Sequence, residues 1–333
     1  MIITRTPFRI SFCGGGTDIP GFYKKYNGQV LTTTINKFMY ILIKKQTGII
    51  EYKYKIHWNK TEFKNKISDI NHPIIKKTLQ YFKINYPVEI SSYSDIPAST
   101  GLGSSSAFTV GLVKAICALE NLKKTNKQIS IIASKIEVDL LKRKIGRQDH
   151  YSTCYGGFNH LVFFKNDNVS VSKIKISDIN KKILENSITL VYTKMKRNAD
   201  RVLSKQYKPN YHQLKNLINL KSDVNKFKKI FIRKELDIKK IGKLLINQWQ
   251  LKKKINKITN KRINKIYDKS MSFGAYGAKL LGAGQGGFLM ILSNKKVKNM
   301  LIREFKKYNT IQIKFDNQGS KVVYDNFSSL IKK

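Results

Sequence analysis

The amino-acid sequence predicts a mixed α/β (α+β) protein of two domains, over residues 1–175 and 176–333. Two periodic patterns and one change of texture predict it. Residues 2–12 and 29–45 alternate in character and are rich in β-branched side chains, as half-buried strands require. Ile129, Ile132, Ala133, Ile136 and Leu140 recur at three- and four-residue steps, which places them on one face of a helix over 126–142. From about residue 165 the chain becomes rich in Lys, Asn and Ile and mostly helical in pattern, so the domain boundary falls near 170–190.

The first strand is broken by Gly14, Gly15 and Gly16 before the second begins at 29. Residues 73–81 form a short helical stretch, and 88–94 another strand that stops at Asp95-Ile-Pro97. Helical spacing returns over 107–119, with Val110, Val113, Ala115 and Ile116 apolar. Glu137 lies at the edge of the stripe on the helix over 126–142, and Gly146 ends that stretch. Gly156 and Gly157 precede a strand over 158–164. In the second half no acidic residue occurs from 238 to 267, where Lys252, Lys253, Lys254, Lys257, Lys261, Arg262 and Lys265 cluster. A glycine-rich turn from 282 then leads into the strand 288–292, and 311–315 and 320–324 read as closing strands.

Composition excludes several classes. The apolar runs at 41–43, 129–133 and 288–292 are far too short to span a bilayer, and the N-terminus lacks the hydrophobic block of a signal peptide. Cys13, Cys117 and Cys154 are far apart, which fits a reducing compartment and a cytoplasmic location better than a disulfide scaffold. His57, His72, His150, His160 and His212 form no metal-binding pair, so no structural metal is expected. The formal net charge is +43, yet only nine of the 64 basic residues are Arg. The lysines are spread along the chain among many Asn and Ile, the mark of compositional drift and a solvated surface. No nucleic-acid reader motif accompanies them, although such a charge steers anionic substrates inward.

The segment from Pro97 through Gly101, Leu102, Gly103, Ser104, Ser105 and Ser106 to Ala107 carries the chemistry. A phosphate needs a concave array of main-chain N–H groups, and small residues alone let its oxygens approach that closely. The helix that follows adds the positive end of its dipole. No Lys-Ser or Lys-Thr follows the glycines, so this is not a Walker A loop.

With that loop, the sequence resembles the GHMP kinases through two further segments in the same order. One is Thr6-Pro-Phe-Arg9-Ile-Ser-Phe-Cys-Gly14-Gly-Gly16-Thr17-Asp18; the other is Lys279-Leu-Leu-Gly282-Ala-Gly284-Gln-Gly286-Gly287-Phe288. The triple glycine, Gly146-Arg-Gln148-Asp149-His-Tyr151 and Tyr155-Gly-Gly157-Phe-Asn159 are similar to the branch acting on heptose 7-phosphates. The resemblance implies a two-domain kinase fold with the active site in the cleft between domains, and ATP and Mg²⁺ as cofactors. It implies phosphorylation of an anomeric hydroxyl, with fucose or hexose 1-kinases and a catalytically silent sugar- and nucleotide-binding member as alternatives.

By the same resemblance Asp149 is the catalytic carboxylate and Arg9 its basic companion. Pro97 and the seven residues Gly101 to Ala107 hold the nucleotide phosphates. Glu137 and Ser105 hold Mg²⁺, with Asp139 a competitor for the Glu137 role. Thr17, Asp18, Arg197, Gly282 and Gly284 face the sugar phosphate, with Lys194, Lys196 and Lys252 as rivals to Arg197. His150 and Cys154 depart from the family pattern and put the acceptor sugar in doubt more than the reaction. A monomer or homodimer is expected, with no membrane or nucleic-acid partner.

Overall fold

The computed structural model describes residues 1–196, 199–204 and 209–326. Its thirteen strands, counted among the described residues, form two sheets. The chain opens with β1 (Ile2–Cys13) and β2 (Gly28–Lys45), then β3 (Tyr54–His57), β4 (Thr61–Lys64), β5 (Val88–Ser94), β6 (Asn159–Phe163) and β7 (Val169–Lys173). It continues with β8 (Ile188–Tyr192), β9 (Gly277–Leu280), β10 (Phe288–Leu292), β11 (Thr310–Ile311), β12 (Phe315–Asp316) and β13 (Lys321–Asp325).

The 18-residue β2 is the spine of the first sheet. One edge pairs antiparallel with β1, from Ile2 opposite Ile43 to Cys13 opposite Leu31. The other edge serves three strands in turn: β6 over Gly28 to Thr32, β12 at Thr34 and Ile35, and β5 over Met39 to Lys45. The ladder shifts register between Pro7 and Phe8, at a residue with no N–H to contribute. The helix Ser104–Leu119 packs on this sheet through Gly111. A Cβ at Gly111 would stand 3.0 Å from the Thr6 hydroxyl oxygen, and Thr4 Oγ1 donates to the Gly111 carbonyl at 3.0 Å. The first turn of that helix is thereby brought against β1 at Arg9, whose amide donates to the Leu102 carbonyl at 3.0 Å.

The second sheet has the order β11-β8-β10-β9, antiparallel throughout. All five side chains of β10 are buried, so this strand is covered on both faces. The helix Ile238–Ile255 crosses β9 where Gly242 and Gly277 meet; a Cβ on Gly277 would fall 2.2 Å from the Gly242 carbonyl oxygen.

The two sheets share one apolar core. Its joint is aromatic: Phe231, from the helix Tyr211–Phe231, meets Phe12 edge-on at 5.0 Å and Phe158 at 5.9 Å, and Phe158 meets Phe315 at 4.7 Å. All four rings come from different stretches of the chain. Their burial opposes separation of the halves.

Four sequence expectations change. The helix expected from 107 begins at Ser104, so the three serines form its first turn rather than the loop before it. The single helix expected over 126–142 is α-helical over Asn126–Ser134 and π-helical over Lys135–Leu140. The expected strand 311–315 is two short strands in different sheets. Finally, β12 and β13 return to the first sheet and pair with β2 and β1, although they fall in the range 176–333. The free edge of β1 needs a partner for its N–H and C=O groups, and the end of the chain supplies it.

Replacing Phe231 by Ala empties the centre of the aromatic joint and is expected to lower unfolding free energy by about 3–5 kcal/mol in urea titrations. A loss below about 1 kcal/mol would show that the joint does not hold the halves together.

Candidate active site

A cleft of about 1110 Å³ lies against β1, β2 and β5 and is closed from the second half by residues such as Asp200, Lys252, Ile258 and Gly282. Its floor is the glycine–serine loop, which turns on Gly101 and Gly103 at φ +89° and +80°, a region that favours glycine. Gly103 is the N-cap of the helix Ser104–Leu119, and no side chain caps that terminus. The loop carbonyls face away from it: Gly101 accepts from Arg9 Nη1 at 2.6 Å and Leu102 from the Arg9 amide. Pro97, Gly101, Gly103, Ser104, Ser105 and Ser106 line the cleft. Leu102 and Ala107 present no side chain to the cleft. Both side chains lie in the core, and the Ala107 amide is spent on the Gly103 carbonyl at 2.9 Å.

Arg9, only 3% exposed, holds Asp149 with both arms of its fork, Nε to Oδ1 at 2.7 Å and Nη2 to Oδ2 at 2.6 Å. Asp149 stands in the first turn of the helix Gln148–Tyr155. Gly103 passes so close that a Cβ on it would lie 3.2 Å from Arg9 Cγ and 3.3 Å from Asp149 Oδ2. Phosphate loop, carboxylate and guanidinium thus meet in the space of one side chain.

Glu137 is fully buried on the π-helical turn. Its carboxylate accepts from Ser105 Oγ at 2.5 Å, Thr109 Oγ1 at 2.9 Å and Arg143 Nη1, and pairs with His150 Nε2 at 3.0 Å. Burial alone raises this carboxyl, but the bond and charge of His150, then Arg143 and Ser105, outweigh it and bring the value down to about 2. Asp139 points elsewhere, to Arg147 at 3.0 Å. Ser105 Oγ and Glu137 Oε2 are hard oxygens suited to Mg²⁺. Among the described residues no three His, Cys, Asp or Glu cluster to hold a metal, so nucleotide and water oxygens would complete such a shell.

The triple-glycine turn divides the acceptor expectations. Thr17 is a correction: it is wholly buried, and its hydroxyl bridges the Gly14 and Gln29 carbonyls at 2.8 and 2.9 Å, away from the cleft. Asp18 lines the cleft but accepts from the amides of Gly16 and Gln148 at 2.9 and 3.1 Å and from Gln148 Nε2 at 3.2 Å. Burial raises its carboxyl, against the pull of those amides. Gly15 opens a recess: a Cβ there would lie 3.3 Å from Gln148 Nε2, 3.6 Å from Ser11 Oγ and 3.7 Å from Lys252 Nζ. Ser11 Oγ and Gln148 Oε1 are buried and have no protein partner among the described residues.

From the second half, Gly282 lines the cleft and its carbonyl accepts from Lys252 Nζ at 3.0 Å. Gly284 is a correction, since it packs on Ile258 instead. Phe288 N donates to the Thr100 carbonyl at 3.1 Å, so the C-terminal glycine turn abuts the phosphate loop directly. Lys279 is buried and donates to the Ser11 and Phe12 carbonyls at 3.0 and 2.8 Å. Arg197 lies outside the described residues; Lys196 and Lys252 reach the cleft. At the far end Trp58, His72 and Phe108 form an aromatic arm, with His72 stacked on Phe108 at 4.8 Å. Sequence reasoning missed Arg143, Thr109, Gln148 and this arm. Thr109, one helical turn after Ser105, was the one with a readable signal.

Residues 73–157 match the GHMP kinases N terminal domain, and 231–309 the GHMP kinases C terminal domain. The chain is 31% identical to D-glycero-alpha-D-manno-heptose 7-phosphate kinase of Campylobacter jejuni, over 92% of this chain and 93% of that one. It is 23% identical to galactokinase of Thermotoga petrophila, over 93% and 96%. A solved D-glycero-D-manno-heptose 1-phosphate kinase from Bacteriodes thetaiotaomicron superposes with a TM-score of 0.74 at 24% identity, covering 98% of this chain and all of that one. No helix among the described residues is long and apolar enough to cross a membrane.

Burial holds His72 down at about 4, and its Nδ1 accepts from the Ile75 amide at 3.3 Å. The folded value lies below the unfolded one near 6.5, so the folded state binds fewer protons between the two. The stability from neutral His72 is therefore complete above pH 6.5 and is lost as pH falls toward 4. His72→Asn keeps a capping acceptor without titrating, and its melting temperature is expected to fall less than the wild type's between pH 6.5 and 4. Parallel profiles would exclude His72 as the cause.

Proposed function

Because the chain belongs to the GHMP kinase family, and is on that footing an ATP-dependent sugar kinase, we propose that it phosphorylates the anomeric hydroxyl of D-glycero-D-manno-heptose 7-phosphate to give the 1,7-bisphosphate. The observation that carries the chemistry is the Asp149 carboxylate, gripped by Arg9 within van der Waals distance of the N-cap of the phosphate-loop helix.

The loop and first-turn amides from Gly101 to Ser106 would cradle the triphosphate, and the aromatic arm would take the nucleobase. Asp149 would accept the proton of the attacking hydroxyl or orient it. Arg9 holds that carboxylate in place through both arms of its fork and sets a positive charge beside the transferring group. Ser105 and Glu137 would hold Mg²⁺, which when bound neutralises charge on the phosphate oxygens. The recess at Gly15, with Ser11, Gln148 and Lys252, offers the acceptor two unpaired polar atoms and an ammonium. That mixture suits a sugar bearing an anionic group. Lys196 lies in the same cleft, and Arg197 remains a candidate for the distal phosphate. This reading fits a cytoplasmic enzyme.

The galactokinase relative favours a second reading, a hexose 1-kinase. Turnover of heptose 7-phosphate against unphosphorylated heptose and hexoses separates the two. A preference for the phosphorylated acceptor of about 100-fold or more in kcat/KM is expected, and equal or better use of a free hexose would overturn the proposal.

Asp149→Asn is expected to lower kcat about 10²–10⁴-fold while ATP affinity changes less than about threefold. Near-normal turnover would remove the assigned role. Gly15 does not adopt the left-handed backbone of Gly14 and Gly16, so Gly15→Ala tests space alone. It is expected to raise the acceptor KM about tenfold with the ATP KM nearly unchanged. Equal increases in both would place the recess outside the acceptor site.

A further inference from the structure

Arg143 stands where a cation would be sought. Its Nη1 donates to Ser105 Oγ at 2.7 Å and to Glu137 Oε2, the same two oxygens assigned above to Mg²⁺. A carboxylate offers about four acceptor sites, and Ser105, Thr109, His150 and Arg143 already engage Glu137. Nothing further binds unless one of these withdraws.

Burial decides which. Thr109 and His150 are wholly enclosed, whereas the Arg143 side chain is 27% exposed and lines the cleft. It also has a second hold: Nε donates to Asp200 Oδ2 at 3.2 Å, on the short helix Ala199–Leu203. The Lys144 amide donates to the other oxygen of Asp200, so that carboxylate stays in place without help from the end of the fork. A guanidinium nitrogen at hydrogen-bond distance from both oxygens and a metal ion at about 2.1 Å from them cannot share the space, and their like charges repel.

Resting on the phosphoryl-transfer reading, we infer that Arg143 is the counter-ion a divalent cation must displace from Glu137 and Ser105, with Asp200 holding the released guanidinium. Arg143 keeps the buried carboxylate neutralised and aimed until the metal–nucleotide complex arrives. Asp200 lowers the cost of the exchange because the guanidinium, which meets it through Nε alone at 3.2 Å while bound to Glu137, can turn its freed arm to it on release.

Titration of full-length protein with Mn²⁺ in the absence of nucleotide, followed by the EPR signal of the free ion, tests this without turnover. Arg143→Met frees the oxygen pair and is expected to bind Mn²⁺ roughly tenfold more tightly than wild type. Asp200→Asn removes the holder of the released state and is expected to bind Mn²⁺ about threefold more weakly. A merely structural role would move both variants the same way. Arg143→Lys, charged but without a fork, is expected to bind about threefold more tightly and decides the matter if the Met variant does not fold. Unchanged or weaker Mn²⁺ binding on removing the guanidinium overturns the exchange and leaves the kinase reading standing. Failure of the wild type to bind ATP would overturn both.

Discussion

The ion pair between Arg9 and Asp149 is the constraint on which the rest of the cleft depends. Arg9 comes from the middle of β1, Asp149 from a helix 140 residues later, and the guanidinium's remaining arm fixes the Gly101 carbonyl. One side chain therefore sets the positions of the strand, the carboxylate and the phosphate loop. Its burial makes this binding: removing Asp149's charge leaves a guanidinium in a poorly solvated place, at a cost of about 3–5 kcal/mol for such a break. The same arrangement ties down the loop's carbonyls, Gly101 and Leu102 on Arg9 and Thr100 on the Phe288 amide.

Around that pair the chain repeatedly uses the absence of a side chain to bring backbones together. Gly103 lets the loop pass over Arg9 and Asp149, and Gly146 leaves room for Asp18, whose carboxylate a Cβ would strike at 1.9 Å. Gly287 lies against the Thr100 carbonyl, where a Cβ would stand 2.1 Å away. The last contact joins the two glycine-rich segments across the cleft, so phosphate loop and C-terminal turn form one surface. Lys279 reinforces the joint by reaching from β9 to the carbonyls of β1. Its ammonium is buried beside Lys252 and Arg9, and its proton affinity is correspondingly depressed, first by burial.

Glu137 illustrates a different economy. It lies at the edge of the helical stripe in sequence, yet on the π-helical turn it is fully buried. A carboxylate so enclosed persists only because four donors meet it, two of them able to carry positive charge. Such turns are frequent at functional sites because the extra residue re-aims one side chain without ending the helix.

Much of this was legible in the residues. Alternation marked β1 and β2, an apolar run after a glycine turn marked β10, and the spacing of glycines and serines marked the loop before Ser104–Leu119, because these features depend on neighbours in sequence. Arg9, Asp149, Glu137 and Ser105 were named from the segments that carry them. Thr17 and Gly284 were misplaced, since which face of a turn a side chain takes depends on what packs behind it, here Gln29 and Ile258. Arg143, Gln148 and the aromatic arm carried no local signature. Their roles depend on partners distant in sequence: Arg143 meets Ser105 38 residues away, and Gln148 meets Asp18 130 residues away. Local sequence sufficed for most strands and helices and for the glycine–serine loop that leads into Ser104–Leu119. Only the tertiary structure decided which charges face one another, because pairing between distant residues is set by packing and by the need of every buried polar group for a partner.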